Sequence, residues 1–297
     1  MNTKLLLLLS IILFAGCIRE TLDPCPTGDV RVNVYVEKFQ AATHDYGTDM
    51  EASFNTRIQD IHYFLYKDNA LIEEGRITDC TPFVAPPYAF ERKGLDFGDY
   101  SLILVSNYSA PIGGNAPTDL VFDYGGVDNK EDHFAVYFPF RIDCDCESEY
   151  NTYMERAHGV IRYTFHDIPQ ELSGIEITMT NVGNQKLIAG DYSGQIEVTK
   201  FIPVTPQTRA DNSEEPLTVV LGTFPTAAGL QSAYHIRLFK NGEDEPYYNE
   251  TVTDKLTIQR NQLLDIVTRF TGDIPSFEIR LDTAWDGSNS GGNTDIN

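Results

Sequence analysis

The residues with the clearest chemical potential in this chain are its five cysteines. A thiolate can attack an electrophile, bind a metal ion or exchange into a disulfide, so its surroundings decide which role fits. Cys17 alone directly follows an apolar run, which sets it apart from the other four. The cysteines are Cys17, Cys25, Cys80, Cys144 and Cys146.

The residues before Cys17 have the order of a secretory signal peptide. Lys4 supplies a positive charge, and residues 5–14 are apolar except for Ser10. This run is too short to span a membrane, which takes about 20 residues. We therefore predict a signal peptide over residues 1–16.

The segment Phe14-Ala15-Gly16-Cys17 resembles the lipobox of bacterial lipoproteins, although phenylalanine stands where leucine is usual. The resemblance implies that Cys17 carries acyl chains, palmitate among them, and becomes the first residue of the mature chain. The alternative is an ordinary secretory signal that ends near a cysteine. Each buried CH₂ contributes about 0.8 kcal/mol, so several acyl chains would hold the chain firmly at a membrane. Residues 17–28 then form a lipidated linker.

The remaining four cysteines are an even number, which suits disulfides in an exported protein. Cys144 and Cys146 would be offset by about 6.6 Å in an extended strand, which disfavours a bond between them. That favours pairing one with Cys25 and the other with Cys80. The alternative is a metal site at Asp143–Cys146, but the sequence lacks the usual ligand spacing nearby. We therefore predict no metal site.

The charge of the chain excludes two classes of partner. It has 22 Lys and Arg against 44 Asp and Glu, a formal net charge of −22. Nucleic acid requires a basic face, and anionic lipid headgroups attract polybasic segments. We therefore predict no nucleic-acid partner, and membrane contact through the lipid.

Short apolar alternations predict the fold class. In residues 30–37 valine occupies every second position, the pattern of a strand with one buried face. Residues 79–94 and 144–151 lack such a pattern and are predicted to be irregular, and Pro139 suggests an edge strand or a bulge. Recurring short strands separated by turn signals indicate an all-β protein of sandwich type. The predicted division is 29–147, 148–286 and a disordered tail, 287–297.

Four segments of the chain carry a resemblance to a known family: Cys17–Pro26, Gly98–Asn107, Met154–Phe165, and Leu264–Phe270 with a last strand ending at Trp285. Together they resemble the FimB-type minor fimbrial anchor family of type V pili in Bacteroidetes-type envelopes. The resemblance implies two transthyretin-like, Greek-key β-sandwich domains in tandem. It also implies a lipid-anchored, surface-exposed outer-membrane protein at the base of a fimbria, with fimbrial shaft subunits as partners through strand addition.

Catalytic chemistry lacks support in the sequence. None of the six histidines lies in an HExxH motif, and no GxSxG motif occurs. We predict no enzyme activity, no catalytic residues and no cofactor. The alternative function is a surface glycan-binding lipoprotein of a polysaccharide-uptake system. Asp282-Thr283-Ala284 resembles an O-glycosylation triad, which makes Thr283 a candidate modification site, although a buried position in a last strand would block it.

Overall fold

Alternating apolar residues become alternating buried residues in the first strand. In the computed structural model Val30, Val32 and Val34 are buried while Arg31 between them is exposed. Among the described residues, strands and one 3₁₀ turn at Pro117–Asp119 account for all regular structure, which confirms the predicted all-β class. None of those residues forms a helix of the length and apolar character that crossing a membrane requires. The structure describes residues 27–36, 58–83, 87–110, 112–126, 132–143, 147–205, 216–282 and 293–294.

Seven of the first eight strands build one folded sheet, in the order β3-β2-β5-β7-β8-β1-β4. Its two ends face each other across a shared hydrophobic core, so the sheet forms a sandwich. The short strand β6 lies outside this sheet. The strands are β1 (Thr27–Val36), β2 (Ile61–Lys67), β3 (Ala70–Ile77), β4 (Tyr88–Asp96), β5 (Gly98–Ser106), β6 (Val121–Asp123), β7 (Phe134–Ile142) and β8 (Glu147–Arg156).

The later strands build a second sandwich from two sheets. One sheet has the order β13-β10-β15-β16, and the other has the order β14-β9-β17-β18-β19. Both contribute to a second hydrophobic core. The short strands β11 and β12 lie outside both sheets. The strands of this half of the chain are β9 (Gly159–His166), β10 (Leu172–Val182), β11 (Gln185–Leu187), β12 (Tyr192–Ser193), β13 (Ile196–Pro203), β14 (Leu217–Thr223), β15 (Ser232–Lys240), β16 (Tyr248–Leu256), β17 (Leu263–Thr271), β18 (Ile274–Asp282) and β19 (Asn293–Thr294).

The two sandwiches repeat one topology. The order β4-β1-β8 matches β14-β9-β17, and the order β3-β2-β5-β7 matches β13-β10-β15-β16. Strand directions match as well, because β1 runs parallel to β8 just as β9 runs parallel to β17. Among the described residues the second sandwich has two strands more, since β18 pairs along the whole of β17 and the short β19 pairs with β18.

A small third sheet ties the sandwiches together. Its strand order is β12-β11-β6, so β6 from the first half of the chain pairs with β11 from the second half. Backbone bonds continue the contact on either side, from Tyr124 N to Asn184 O at 2.9 Å and from Ile188 N to Leu120 O at 3.0 Å. The second hydrophobic core likewise contains residues of β2 and β5. The halves are therefore joined by backbone and by apolar contacts.

Two segments predicted to be irregular are strands. Residues 88–96 form β4, and residues 147–156 form β8, which pairs with β1 over eight residues. The predicted division between residues 147 and 148 therefore falls at the start of a strand of the first sandwich. We propose instead a division at Ala157–His158, between β8 and β9.

Candidate interaction surface

Strands β7 and β8 pair at one end only, and this creates the candidate surface. Phe134 pairs with Arg156 and Ala135 pairs with Glu155, and the Ala157 amide donates to His133 O at 2.9 Å. On the sides where β7 and β8 face each other, no described strand pairs with β7 beyond Ala135 or with β8 before Glu155. We call the opening between residues 136–142 and residues 147–154 the β7–β8 fork.

The backbone of both strands presents polar groups to the fork. In a strand, successive N–H and C=O groups point to opposite sides. Since Ala157 and His133 bond each other, odd-numbered residues on both strands direct these groups toward the fork. Pro139 is one of them, so its missing N–H faces the open side, as the rule for proline in edge strands requires. Of the two alternatives predicted for Pro139, an edge strand or a bulge, the structure shows the edge.

Aromatic side chains line the interior of the fork. The Tyr150 ring lies 5.5 Å from that of Phe138 and 6.0 Å from that of Phe140. The Tyr150 hydroxyl donates to the backbone oxygen of Arg141 at 3.2 Å, so a side chain replaces one missing strand partner. Two further tyrosines face solvent beside the opening: Tyr137 is 37 % exposed and Tyr153 is 58 % exposed.

Charged side chains surround the closed end of the fork, where a cleft of about 490 Å³ opens. Arg156 binds the Asp132 carboxylate through two bonds of 2.7 and 2.8 Å and donates to Asn261 Oδ1 at 3.2 Å. Arg260 lies 3.4 Å from Glu155. Asn261 belongs to the turn before β17, so Arg156 also connects the two sandwiches.

A row of ring contacts continues this connection below the cleft. The His133 ring lies 5.4 Å from Phe122 and 4.7 Å from His158, which in turn lies 4.9 Å from Phe224. Phe122 comes from β6 and Phe224 directly follows β14, so the row of rings spans both sandwiches. Burial lowers the pKa of His158 well below 6.5, and His133 and Arg156 lower it further.

Comparison with known proteins identifies a family whose sequence model matches most of this chain. A sequence model of the family described as fimbrillin-A associated anchor proteins Mfa1 and Mfa2 matches residues 22–286. The chain belongs to this family. The predicted resemblance to a fimbrial anchor family is therefore confirmed, and the chain is a fimbrial accessory subunit associated with the cell surface. Members of the anchor family are structural proteins, not enzymes. No curated protein matches the chain.

Solved structures with this fold include proteins from two bacteria. A putative polysaccharide binding protein from Bacteroides thetaiotaomicron has a TM-score of 0.59 at 9 % identity, over 86 % of this chain and 95 % of that one. A putative adhesin from the same organism has 0.55 at 13 %, over 88 % and 97 %. The C-terminally truncated tip fimbrial protein Mfa3 from Porphyromonas gingivalis has 0.51 at 12 %, over 86 % and 99 %. At such identities the similarity shows the fold alone.

Residues that carry the resemblance to the anchor family have structural roles. Gly98 has a φ of 149°, and a Cβ there would lie 2.9 Å from Lys67 Cε. The Tyr100 hydroxyl donates to Asp96 O at 2.6 Å and fixes the bend before β5. Asn107 ends β5 with a φ of 57°, and its side chain bonds the backbone of Gln59 and Asp132. The Gly98–Asn107 segment therefore shapes the first sandwich.

The predicted site residues remain mostly outside the described residues. Cys17, Cys25, Cys144, Cys146 and Thr283 all lie there, so lipidation, disulfide pairing and O-glycosylation stay predictions. Cys80 is buried in the first core, where the described residues include no second cysteine, and burial raises the pKa of its thiol to about 11. In the described part of the chain no group of three His, Cys, Asp or Glu side chains is placed to hold a metal ion.

Sequence reasoning missed the β7–β8 fork because β8 was not recognised as a strand. Its exposed positions are mostly acidic, and its inward positions include Ser148 and Thr152, so apolar alternation is weak. The available signal was the β propensity of Tyr150, Thr152 and Tyr153 within the acidic segment.

The buried imidazole of His158 predicts a loss of stability at mildly acidic pH. Because its pKa is lower in the folded protein than in the unfolded chain, its contribution is complete above pH 6.5 and falls as the pH decreases. We expect His158 to account for a loss of about 1.4 kcal/mol in the free energy of unfolding between pH 7.5 and 5.5. Urea unfolding at both pH values measures this loss.

His158→Phe should remove that part of the pH dependence. His235→Phe is the control, because His235 is partly exposed in β15 and its ring bonds Asn249 at 2.8 Å. An unchanged pH dependence in His158→Phe would contradict the prediction.

Proposed function

We propose that this chain is a lipid-anchored minor subunit that tethers a type V-like fimbria to the outer membrane and contacts its shaft subunits by strand addition. The observation that carries the proposal is the anchor-family match over residues 22–286, which begins five residues after Cys17 of the lipobox-like segment. A lipidated subunit at the base of the filament accounts for both features.

The length of the linker supports a role next to the membrane. Strand β1 begins at Thr27, ten residues after Cys17. An extended chain spans at most about 3.6 Å per residue, so the first sandwich would stand within about 36 Å of the lipid. Several acyl chains on Cys17 would hold it there against the pull of a filament.

The β7–β8 fork supports strand addition. Unpaired strand edges invite other strands, and soluble proteins usually cover or blunt them. In strand addition the main-chain bonds supply affinity, and pockets for alternate side chains supply register. The fork offers both kinds of contact, in the backbone groups of β8 and in the aromatic lining around Tyr150.

Glycan binding remains a second candidate because of the tyrosines beside the cleft. Tyr137 and Tyr153 are exposed next to polar side chains such as Asn151 and Glu155. Aromatic faces beside polar groups suit sugars. This function would not require fimbriae, which separates it from the anchor function in the experiment below.

Replacing Cys17 with alanine in the native cell tests the proposal. We expect the protein to leave the membrane fraction and fimbriae to appear in the medium, because the filament loses its lipid tether. Fractionation followed by immunoblotting of this protein and of the fimbrial shaft measures both effects.

Cys25→Ala is the matched control, since it removes a nearby cysteine without touching the lipobox-like segment, and it should keep both in the membrane fraction. Release of the protein with fimbriae still attached would reject the anchor function and favour glycan binding. Retention of the protein in the membrane would reject the lipid assignment.

A further inference from the structure

Three exposed apolar side chains lie at one end of the first sandwich. Phe97, in the bend between β4 and β5, is 37 % exposed, and Leu71 and Ile72 near the start of β3 are 36 % and 49 % exposed. Exposed apolar side chains that lie near one another mark a contact with another apolar body, whereas single ones need no explanation. We call Leu71, Ile72 and Phe97 the apolar end patch.

The turn between β2 and β3 brings these residues to the same end. The Asp68 amide in this turn donates to Asp99 O at 3.0 Å, so the turn lies against the start of β5. Phe97 comes directly before β5, and Leu71 is the second residue after the turn. The patch therefore belongs to one end of the sandwich and not to separate faces.

Strand β1 begins at this same end. Its first residue, Thr27, pairs with Asp96, which directly precedes Phe97. The segment from Cys17 to Thr27 therefore joins the sandwich beside the patch, and its ten residues can span at most about 36 Å. From there β1 leads away over ten residues, or about 33 Å. A lipid on Cys17 would thus hold the patch closer to the membrane than the other end of β1.

A short tether makes even a weak membrane contact effective. Linking two bodies through a short flexible segment gives an effective concentration of about millimolar, so a contact too weak to hold a free protein can form in a tethered one. Large apolar and aromatic side chains partition into the membrane interface, where an apolar face lies about 5–10 Å deep. The composition of the patch suits that layer.

The charges around the patch indicate which lipid surface fits. Asp68, Asp96 and Asp99 are all exposed at this end. Lys67 lies 3.5 Å from Asp96, and this pair neutralises one carboxylate. Arg141 lies 3.1 Å from Asp99. Since these cations are already paired and carboxylates repel anionic headgroups, the patch fits a zwitterionic surface and makes its contact through apolar side chains.

We propose that the apolar end patch lies in the interfacial layer of the membrane to which Cys17 is tethered, among zwitterionic headgroups. The contact orients the first sandwich so that β1 leads away from the membrane toward the second sandwich. This inference rests on the proposed function, because the lipid on Cys17 brings the patch to the membrane.

Tryptophan quenching in vesicles tests the inference on the full mature, acylated chain. Trp285 is the one tryptophan of the sequence, so Phe97→Trp in a Trp285→Phe background places a single indole in the patch. The probe is phosphatidylcholine that carries bromine near the top of its acyl chains, which quenches an indole only at close range. We expect fluorescence at least about twofold lower than in unbrominated vesicles, because interfacial side chains reach that depth.

Ile274→Trp in the same background is the matched control. Ile274 is 72 % exposed, more than any residue of the patch. It pairs with Thr271 at the end of β17 away from Leu263, whereas the connection to the first sandwich lies near Leu263. Its fluorescence should change by less than about a tenth, because an indole in water lies beyond the interfacial layer. Equal quenching at both positions would overturn the inference.

Leu71→Trp provides a second reporter if Phe97→Trp does not fold. Unquenched fluorescence at the patch in a folded variant overturns the inference. An indole that is shielded from aqueous iodide but not quenched by the brominated lipid also overturns it, because the patch would then contact a second copy of the chain. Adding anionic phosphatidylglycerol should weaken the quenching, and stronger quenching would contradict the zwitterionic surface.

Mass spectrometry of the chain from native cells separates this inference from the proposed function. A chain without acyl groups on Cys17 would reject the lipid anchor, and the membrane contact with it. An acylated chain in which Phe97→Trp is not quenched would reject the contact alone, and shedding of fimbriae in Cys17→Ala would still support the anchor function.

Discussion

Replacing Phe122 with alanine is expected to lower the free energy of unfolding by about 3–5 kcal/mol, the usual cost of removing a buried phenylalanine. Phe122 is fully buried, and its ring lies 4.8 Å from Tyr108 and 5.4 Å from His133. It sits on β6, whose pairing with β11 joins the two sandwiches. The cavity would therefore weaken the connection between them as well as the core.

Phe97→Ala is the matched control for this experiment. Phe97 lies between β4 and β5 and is 37 % exposed, so its replacement should change the free energy of unfolding by at most about 0.5 kcal/mol. Denaturant unfolding of both variants measures the difference. A decrease in the free energy of unfolding below about 1 kcal/mol for Phe122→Ala would contradict its role in connecting the two sandwiches.

The second large effect is expected at the ion pair between β9 and β17. Arg162 and Asp265 lie directly opposite in the parallel ladder, joined by bonds of 3.1 and 2.7 Å, and their side chains are 18 % and 14 % exposed. Arg162→Ala leaves a mostly buried carboxylate without its cation. We expect a loss of about 2–4 kcal/mol in the free energy of unfolding, slightly less than for a fully buried pair.

An exposed pair of the same residue types provides the control. Arg141 and Asp99 also lie opposite each other, on β7 and β5, at 3.1 Å, but their side chains are 68 % and 69 % exposed. Arg141→Ala should cost at most about 1 kcal/mol, since water and salt screen such pairs. Equal losses in the two variants would contradict the role of burial. Arg162→Met with Asp265→Leu should recover much of the stability lost in Arg162→Ala.

The strands with one buried face were predictable because alternation directly reports burial. Residues 30–37, 101–106 and 159–165 were predicted as strands, and the structure has β1, β5 and β9 there. Pro139 was also informative, because proline restricts a strand to positions with a free side. The family resemblance depended on segments such as Gly98–Asn107, whose glycine and asparagine adopt backbone conformations that few residues tolerate.

The β7–β8 fork was not predictable, since it depends on a strand that fails to close its core. Tyr150 is half-buried and its neighbours Glu149 and Asn151 are exposed, so β8 lacks the strong apolar alternation of a closed edge. The connection between the two sandwiches was not predictable from the sequence for another reason. Phe122 and His158 are far apart in sequence, and only the pairing of β6 with β11 and the packing of both sandwiches bring their surroundings together.

The position of this protein along an intact fimbria tests the anchor function most directly. Immunogold electron microscopy with an antibody against the mature chain locates it on filaments that are still attached to cells. An anchor held through Cys17 predicts label at the membrane-proximal end of each filament. Label at the distal tip, with none at the base, would contradict it.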